Sequence, residues 1–297
     1  MRQIRAQSAM EYLMTYGWAI LIIAVVLAVL FSLGIFNSNT YGGRAHAGSC
    51  TVQRPYGPGT TQLISLAGVC NGQLPQFVAL FNGNLGNGVG SYIDVPYESA
   101  LVPSNTVTIT MWIEPRGKIT SYSSLASTTN GGYTIQQCSA GEISGNSIGF
   151  WINNMGSGAT CMSSAAVYYN KWYFIAVTYN GVTAVQYMNS TPVYTQSFST
   201  TMSSASDLAI GGYPGATPPG RWNGSIADLQ IYNTALPAND ISALYLEGIG
   251  GAPINLPNLV GWWPLNGDGN DYSGNGYNGA LSNVIWTSQW TNGYVQP

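Results

Sequence analysis

The sequence predicts a mainly β protein in which a long N-terminal hydrophobic α-helix precedes an antiparallel β-sandwich. The helix is predicted from residues 7–36, which contain a single charged residue, Glu11. The sandwich is predicted from many short strands separated by turn residues about every 8 to 12 positions. Only 6% of the 297 residues are charged, the net charge is −3, and the few Lys and Arg residues are scattered. No nucleic-acid partner is therefore expected.

Residues 1–6 form a short basic leader in front of the predicted helix. At about 1.5 Å per residue, a helix over residues 7–36 reaches about 45 Å, more than the roughly 30 Å apolar core of a bilayer. We therefore expect it to span a membrane. Secretory signals have a shorter apolar segment with the cleavage site directly after it. Ala45-His46-Ala47 lies too far downstream for such a site, and Ala6, before the apolar run, is better placed.

The leader is followed by Gln7-Ser8-Ala9-Met10-Glu11-Tyr12-Leu13 and Tyr16-Gly17-Trp18-Ala19-Ile20-Leu21. This stretch, about a tenth of the chain, resembles the class III signal peptides of archaeal type IV pilin-like proteins. The resemblance implies cleavage between Ala6 and Gln7 by a prepilin peptidase. It also implies that a pilus assembly platform then moves the helix from the cell membrane into a helical homopolymer. There Glu11 would pair with the amino group of Gln7 of a neighbouring subunit.

Glu11 also has a physical reason to be functional. A carboxylate within an apolar helix costs several kcal/mol unless it is paired. The alternative is that Glu11 lies at the level of the lipid headgroups beside Tyr12, Tyr16 and Trp18. We expect the headgroup position before cleavage and the pairing with Gln7 after assembly.

Residues 37–49 are rich in Gly, Ser and Asn and predict a hinge before a head over residues 50–297. The helix would place the head outside the cell, where disulfides persist. Of the three possible pairings of four cysteines we favour the two local ones. These are Cys50 with Cys70 and Cys138 with Cys161. Because His46 is the single histidine, neither a thiolate or imidazole metal site nor histidine-dependent catalysis is expected.

Within the head, apolar residues recur at every second position in several short segments. Residues 106–113 show this pattern, which is typical of a half-buried strand. Residues 172–178 and 183–188 flank an Asn180-Gly181 turn and predict a β-hairpin. Residues 224–232 alternate in the same way, and residues 237–245 predict a helix.

Several sequence segments of the head are more specific to one fold than this alternation. They are VTITMWIEP (107–115), KWYFIAVTY (171–179) and GSIADLQIYN (224–233). With residues 81–96 they resemble a laminin-G-like, concanavalin A-like jelly roll that extends from about Phe77 to Tyr245. The resemblance implies two packed antiparallel sheets that serve sugar or protein binding.

Residues 260–267 (VGWWPLNG) and the loop 268–279 resemble the opening strand and loop of such a domain, yet they stand near the C-terminus. We favour a circularly permuted sandwich in which this segment fills the first-strand position of its own chain. A second explanation is donation to the sheet of a neighbouring subunit, since an open edge accepts a foreign strand. The third is a degenerate second module, for which the tail is too short.

Asp268, Asp271 and Asn275 place oxygen atoms around glycines, and Ca²⁺ prefers such ligands. The spacing is not that of an EF-hand loop, because no bidentate Glu closes it. A polar loop that caps a strand is the favoured alternative, and no cofactor is required. Two sequons, at Asn189 and Asn223, are candidate glycosylation sites.

The acidic residues predict no enzyme. Retaining glycosidases place two carboxylates about 5 Å apart, and no segment of this chain carries such a cluster. The acids that stand singly are Asp94, Glu98, Glu114, Glu142, Asp207 and Asp228.

The leading prediction is a structural subunit of an archaeal extracellular type IV pilus-like filament. Its helix would form the filament core and its jelly roll the outer adhesive surface, in contact with glycans or other cell surfaces. Before processing, the chain would reside in the cell membrane. The alternative is a monomeric, membrane-anchored, lectin-like protein that binds carbohydrate or protein.

Overall fold

The computed structural model describes residues 5–32, 49–83, 90–117, 123–128, 131–138, 147–153, 155, 165–213 and 220–297. In the first of these ranges, side chains are described at Met14 and at residues 16–29. The chain divides into two units, Met1–Arg44 and Ala45–Pro297. The predicted hinge and His46 lie outside the described residues, apart from Ser49.

The first unit contains helix α1, Arg5–Ser32. The prediction of a long hydrophobic, membrane-spanning helix over residues 7–36 is wrong, because no helix in the described part of the chain is both long and apolar enough to cross a bilayer. Residues 7–36 are nearly uncharged, but polar residues separate the apolar ones in the first part of this range. The uninterrupted apolar part, Ala19–Phe31, has only 13 residues. It reaches about 20 Å, against the roughly 30 Å that a bilayer requires.

In the second unit, the head, most of the regular elements of the described residues are strands. Its strands are β1 Cys50–Gln53, β2 Ser65–Gly68, β3 Val78–Asn82, β4 Tyr92–Val95, β5 Val107–Pro115, β6 Ser123–Thr128, β7 Tyr133–Gln137, β8 Ile148–Ile152, β9 Tyr173–Tyr179, β10 Thr183–Met188, β11 Thr191–Ser197, β12 Leu208–Ile210, β13 Asn223–Tyr232, β14 Leu259–Trp263, β15 Ala280–Ser282 and β16 Ile285–Thr287. Helix α2 is Ala238–Glu247, and short 3₁₀ turns lie at Ser99–Leu101 and Leu256–Asn258.

The strands form two main sheets, and the predicted antiparallel β-sandwich is confirmed. The larger sheet has the order β11-β10-β9-β5-β13-β3-β16, with β14 also paired to β13. The smaller sheet has the order β15-β4-β12-β6-β7-β8. The predicted hairpin is also confirmed, because β9 and β10 pair antiparallel around the Asn180-Gly181 turn.

Side chains that alternate along each strand fill the space between the two sheets. In β5, Val107, Ile109, Met111 and Ile113 lie in this core. Trp112 points to the opposite face of the larger sheet, where it joins a second apolar cluster. This outer cluster contains side chains from the larger sheet, from α2 and from the C-terminal segment: Trp112, Phe174, Tyr232, Ile241, Leu244, Trp262 and Trp290. The outer face of the larger sheet is therefore covered.

The C-terminal segment belongs to the sheet of its own chain. Leu229–Tyr232 of β13 pair antiparallel with β14, Leu259–Trp263. The residues that resemble the opening strand of a jelly roll thus occupy a position next to β13. The segment fills this place without a second subunit.

A disulfide joins Cys50 to Cys70 across the small hairpin β1–β2, which confirms the first predicted local pair. Cys138 is also disulfide-bonded. Its predicted partner, Cys161, lies outside the described residues.

Asp228 lies where β13 changes its partner from β3 to β14. Its φ is +50°, a value that Asp tolerates better than most residues. The buried carboxylate accepts hydrogen bonds from Trp262 Nε1 at 2.8 Å and from Gln230 Nε2 at 3.0 Å. Burial raises the pKa of Asp228 to about 7, and the hydrogen bonds from Gln230 and Trp262 oppose that rise.

We expect the free energy of unfolding to fall by up to about 1.4 kcal/mol per pH unit between about pH 4 and pH 7 because of Asp228. Its pKa is raised on folding, so the unfolded chain loses the proton near pH 4 and the folded chain near pH 7. The folded state binds more protons in this window and is most stable at its acidic end. Asp228→Asn should flatten this part of the profile in urea unfolding. An unchanged profile would contradict the assignment.

Candidate functional site

The outer face of the smaller sheet carries polar and aromatic side chains. Side chains alternate between the two faces of a strand. In this sheet the core side chains include Ile93, Val95, Ile135, Phe150 and Ile152, and the residues next to them along each strand point outward. We call the outward set the polar face. It consists of Tyr92 and Asp94 of β4, Ser127 of β6, Thr134 and Gln136 of β7, Trp151 of β8 and, beside them, Arg221.

Strand register aligns part of the polar face in one row across five strands. The row runs Asp94, Ala209, Ser127, Thr134, Trp151. With strands about 4.8 Å apart, it measures about 19 Å. The small residues in its middle are buried, and Ser127 Oγ and Thr134 Oγ1 share a hydrogen bond of 2.7 Å. The residues at its two ends, Asp94 and Trp151, are half-buried and are the ones that a dissolved molecule reaches.

Arg221 lies over the ring of Tyr92, with 4.0 Å between Cζ and the ring centroid. A Cβ at Gly90 would come within 2.5 Å of Arg221 Cγ, and one at Gly212 within 2.8 Å of Nη1. Glycine at both positions leaves the room that this stack requires. Partial burial lowers the pKa of Arg221, against the opposing effects of Tyr92 and Asp94. The stack fixes the orientation of Tyr92.

The structure brings together two acids that the sequence argument treated as isolated. Asp94 pairs with Ala209, so Asp207 is its diagonal neighbour, about 7 to 8 Å away. Burial and the charge of Asp207 raise the pKa of Asp94, whereas Arg221 lowers it. Asp207 Oδ1 accepts a hydrogen bond from the Tyr97 N–H at 2.7 Å. The sequence missed this pair because 112 residues separate the two acids.

Asp271 holds the loop 268–279 against β14. Its Oδ1 accepts hydrogen bonds from the Trp262 N–H at 3.0 Å and the Ser273 N–H at 2.8 Å. Its Oδ2 accepts from Ser273 Oγ at 2.8 Å and the Tyr277 N–H at 3.0 Å. Both carboxylate oxygens therefore act as the cap of a polar loop.

The other two candidate calcium ligands are also bonded to protein donors. Asp268 accepts from Asn270 and from the Tyr272 hydroxyl, each at 3.1 Å. Asn275 Oδ1 accepts from the Gly59 N–H at 2.8 Å. Across the described ranges, no group of three or more His, Cys, Asp and Glu side chains is placed to hold a metal ion. Calcium binding by this loop stays a prediction.

The remaining predicted sites lie in α1 and in the head. Ala6, Gln7 and Glu11 are within α1, but their side chains are not among those described. Cleavage at Ala6 and the pairing of Glu11 with Gln7 stay predictions.

The two sequons occupy different environments. Asn189 begins the tight turn between β10 and β11, where it has φ +48° and Thr191 is exposed. Asn223 begins β13, and Ser225 of its sequon is fully buried and donates a hydrogen bond to Glu114 Oε2 at 2.9 Å.

The fold and the polar face define a jelly-roll domain in which one outer sheet face is lined by polar and aromatic side chains. Residues 86–242 match the family Laminin_G_3, described as the concanavalin A-like lectin/glucanases superfamily. Because the match covers more than half of the chain, this protein belongs to that superfamily. The jelly roll that the sequence resemblance implied is confirmed.

The solved structures that are similar to this chain include two with a TM-score above 0.5. One is from Bacteroides ovatus and is named for carbohydrate binding. It has a TM-score of 0.55 and 15% sequence identity to this chain. The match covers 75% of this chain and 66% of the Bacteroides ovatus chain, which is just under two thirds of that chain's length. The other is a native heptameric SAP-like pentraxin from Limulus polyphemus, with a TM-score of 0.51 and 16% identity over 71% of this chain and 94% of that chain. At these identities the likeness shows the fold alone. No curated protein sequence matches the chain.

We expect Asn189, and not Asn223, to carry a glycan when the chain is made in a glycosylating host. Thr191 of the first sequon is exposed in the hairpin turn, whereas folding buries Ser225 of the other sequon. Peptide mass spectrometry should show the modification, and Asn189→Gln should remove it. Asn223→Gln is the matched control and should leave the glycan mass unchanged. A glycan found on Asn223 would contradict the expectation.

Proposed function

We propose that the head binds carbohydrate through the polar face. The observation that carries this proposal is that one sheet face combines two half-buried aromatic side chains, Tyr92 and Trp151, with the half-buried carboxylate of Asp94 and the half-buried amide of Gln136. Aromatic rings offer flat apolar surfaces to the C–H faces of a sugar, and neighbouring polar groups hydrogen-bond its hydroxyls. Membership of the lectin/glucanase superfamily and the name of the Bacteroides ovatus structure support the proposal.

We assign binding without hydrolysis. A glycosidase needs two carboxyl groups that flank the scissile bond. Asp94 and Asp207 are diagonal neighbours about 7 to 8 Å apart, farther than the roughly 5 Å of a retaining pair, and Asp207 Oδ1 already accepts a hydrogen bond from the Tyr97 N–H. We place the head outside the cell, because a disulfide such as Cys50–Cys70 persists in oxidising compartments.

Glycan-array screening of the full chain, followed by calorimetry on the oligosaccharides that bind, tests the proposal. Trp151→Ala should weaken binding about tenfold, or about 1.4 kcal/mol, because it removes one aromatic contact. Tyr56→Ala is a matched control, since Tyr56 is an exposed aromatic residue of the N-terminal part of the head. It should leave the affinity unchanged.

Three outcomes of these assays would count against the proposal. Absence of binding to every glycan, with and without added Ca²⁺, would refute it. Equal losses for Trp151→Ala and Tyr56→Ala would move binding away from the polar face. Release of new reducing ends during incubation would show hydrolysis.

A second candidate function, subunit of an extracellular filament, rests on α1. Apolar side chains are exposed along this helix, among them Ile20, Ile22, Ile23 and Val25, which are 54 to 66% exposed. Side chains of this kind at successive positions point in different directions around a helix. Copies of α1 that pack together would remove this apolar surface from water. The partners of this chain would then be its own copies, after processing by a prepilin peptidase.

We expect Ile22→Glu to reduce self-association of the full chain, because it places a charge in an apolar helix–helix contact. Sedimentation velocity and negative-stain electron microscopy measure the assemblies. Ile285→Glu is the matched control, since Ile285 is an exposed isoleucine of the head. A wild-type chain that sediments as a monomer at all concentrations would contradict this second function.

A further inference from the structure

Three charged side chains lie together at one end of the polar face. Asp207 and Asp94 are diagonal neighbours on adjacent strands, and Tyr92 and Arg221 follow along the same face. The other members of the face, Ser127, Thr134, Gln136 and Trp151, are uncharged. With both acids ionised, the described residues of the polar face together with the adjoining Asp207 carry one positive and two negative charges.

Arg221 is already engaged within the protein. Its guanidinium stacks on Tyr92 at 4.0 Å and interacts electrostatically with Asp94 and through a side-chain hydrogen bond with Tyr92. A Cβ at Gly90 or Gly212 would collide with Arg221. The Arg221 side chain is therefore closely enclosed. Arg221 therefore orients the aromatic ring and offsets one of the two acids.

Asp94 has little capacity to tolerate another anion. Its neighbours across the strands on both sides are Ala209 and Ala280, whose side chains donate no hydrogen bonds. Burial and the neighbouring Asp207 already disfavour its ionised form and raise its pKa. A ligand carboxylate placed beside Asp94 and Asp207 would be a third negative charge in the same partly buried region.

We propose that the polar face selects uncharged saccharides and rejects those that carry carboxylates. This inference rests on the proposed carbohydrate binding and adds the substrate class. Hydroxyl groups of a neutral sugar donate hydrogen bonds to Asp94 and Asp207, which are acceptors when ionised. A uronate or another acidic sugar would bring repulsion to the same position, where Arg221, the cation among the described residues of the face, is stacked on Tyr92.

Matched pairs of tetrasaccharides test this selectivity on the full chain. The probes are tetramers of glucose, galactose and mannose, each measured beside the corresponding tetrauronate at pH 7 and low salt. We expect at least one neutral tetramer to bind and its uronate to bind at least tenfold more weakly. The difference should shrink at high salt, because screening weakens charge repulsion.

The double variant Asp94→Asn, Asp207→Asn should narrow the gap between neutral and acidic probes to a few-fold. Glu247→Gln, which changes an exposed acid on α2, is the control and should leave the gap unchanged. Circular dichroism and the thermal midpoint verify that each variant is folded. If the double variant is unfolded, Asp207→Asn alone gives the second test, with a smaller narrowing expected.

Two further outcomes separate the inference from the proposed function. Equal or tighter binding of the tetrauronates would overturn the selectivity and leave carbohydrate binding intact. If no neutral or acidic tetrasaccharide binds and the glycan array shows no binding either, both the proposed function and the selectivity are overturned.

Discussion

The architecture of the head depends on the pairing of β13, a ten-residue strand that pairs with β5, β3 and β14. A strand has only two edges, so β3 and β14 must share the edge opposite β5. The chain accommodates both through the irregular backbone at Asp228, with its positive φ. The Trp262 indole then donates its hydrogen bond to Asp228 and ties β14 to this junction. The buried carboxylate of Asp228 therefore lies where β13 meets β3, β5 and β14.

This junction also determines which surface remains for function. The C-terminal segment docks beside β13 and contributes Trp262 and Trp290 to the apolar outer cluster, to which α2 adds Ile241 and Leu244. The outer face of the larger sheet is therefore occupied by the protein itself. On the outer face of the smaller sheet, the aromatic, amide and charged side chains toward its two ends stay half-buried, namely Tyr92, Asp94, Gln136, Trp151 and Arg221. The difference between the two outer faces is why we place ligand binding on the smaller sheet.

The sequence predicted those elements that local patterns determine. Alternation predicted β5 and β13, the Asn-Gly turn predicted the β9–β10 hairpin, and the helix at residues 237–245 is α2, Ala238–Glu247. The local pairing of Cys50 with Cys70 is confirmed. The membrane span was wrong because the count included polar and aromatic residues around a short apolar run.

Sequence patterns could not predict the polar face. Alternation alone puts Tyr92 and Asp94 on one side of β4, but only strand order brings Trp151, Asp207 and Arg221 to the same face. Such register depends on contacts between residues far apart in the chain. The predicted oxygen-rich loop was located correctly as a strand cap, and its hydrogen bonds to β14 became visible only in the structure.

The most direct test of carbohydrate binding on the polar face is a crystal structure of the chain soaked with a neutral oligosaccharide that binds in solution. We predict electron density for the sugar along the row from Asp94 to Trp151, with a sugar ring against at least one of Tyr92 and Trp151. Sugar density found only on the outer face of the larger sheet, or only at the loop 268–279, would contradict carbohydrate binding on the polar face.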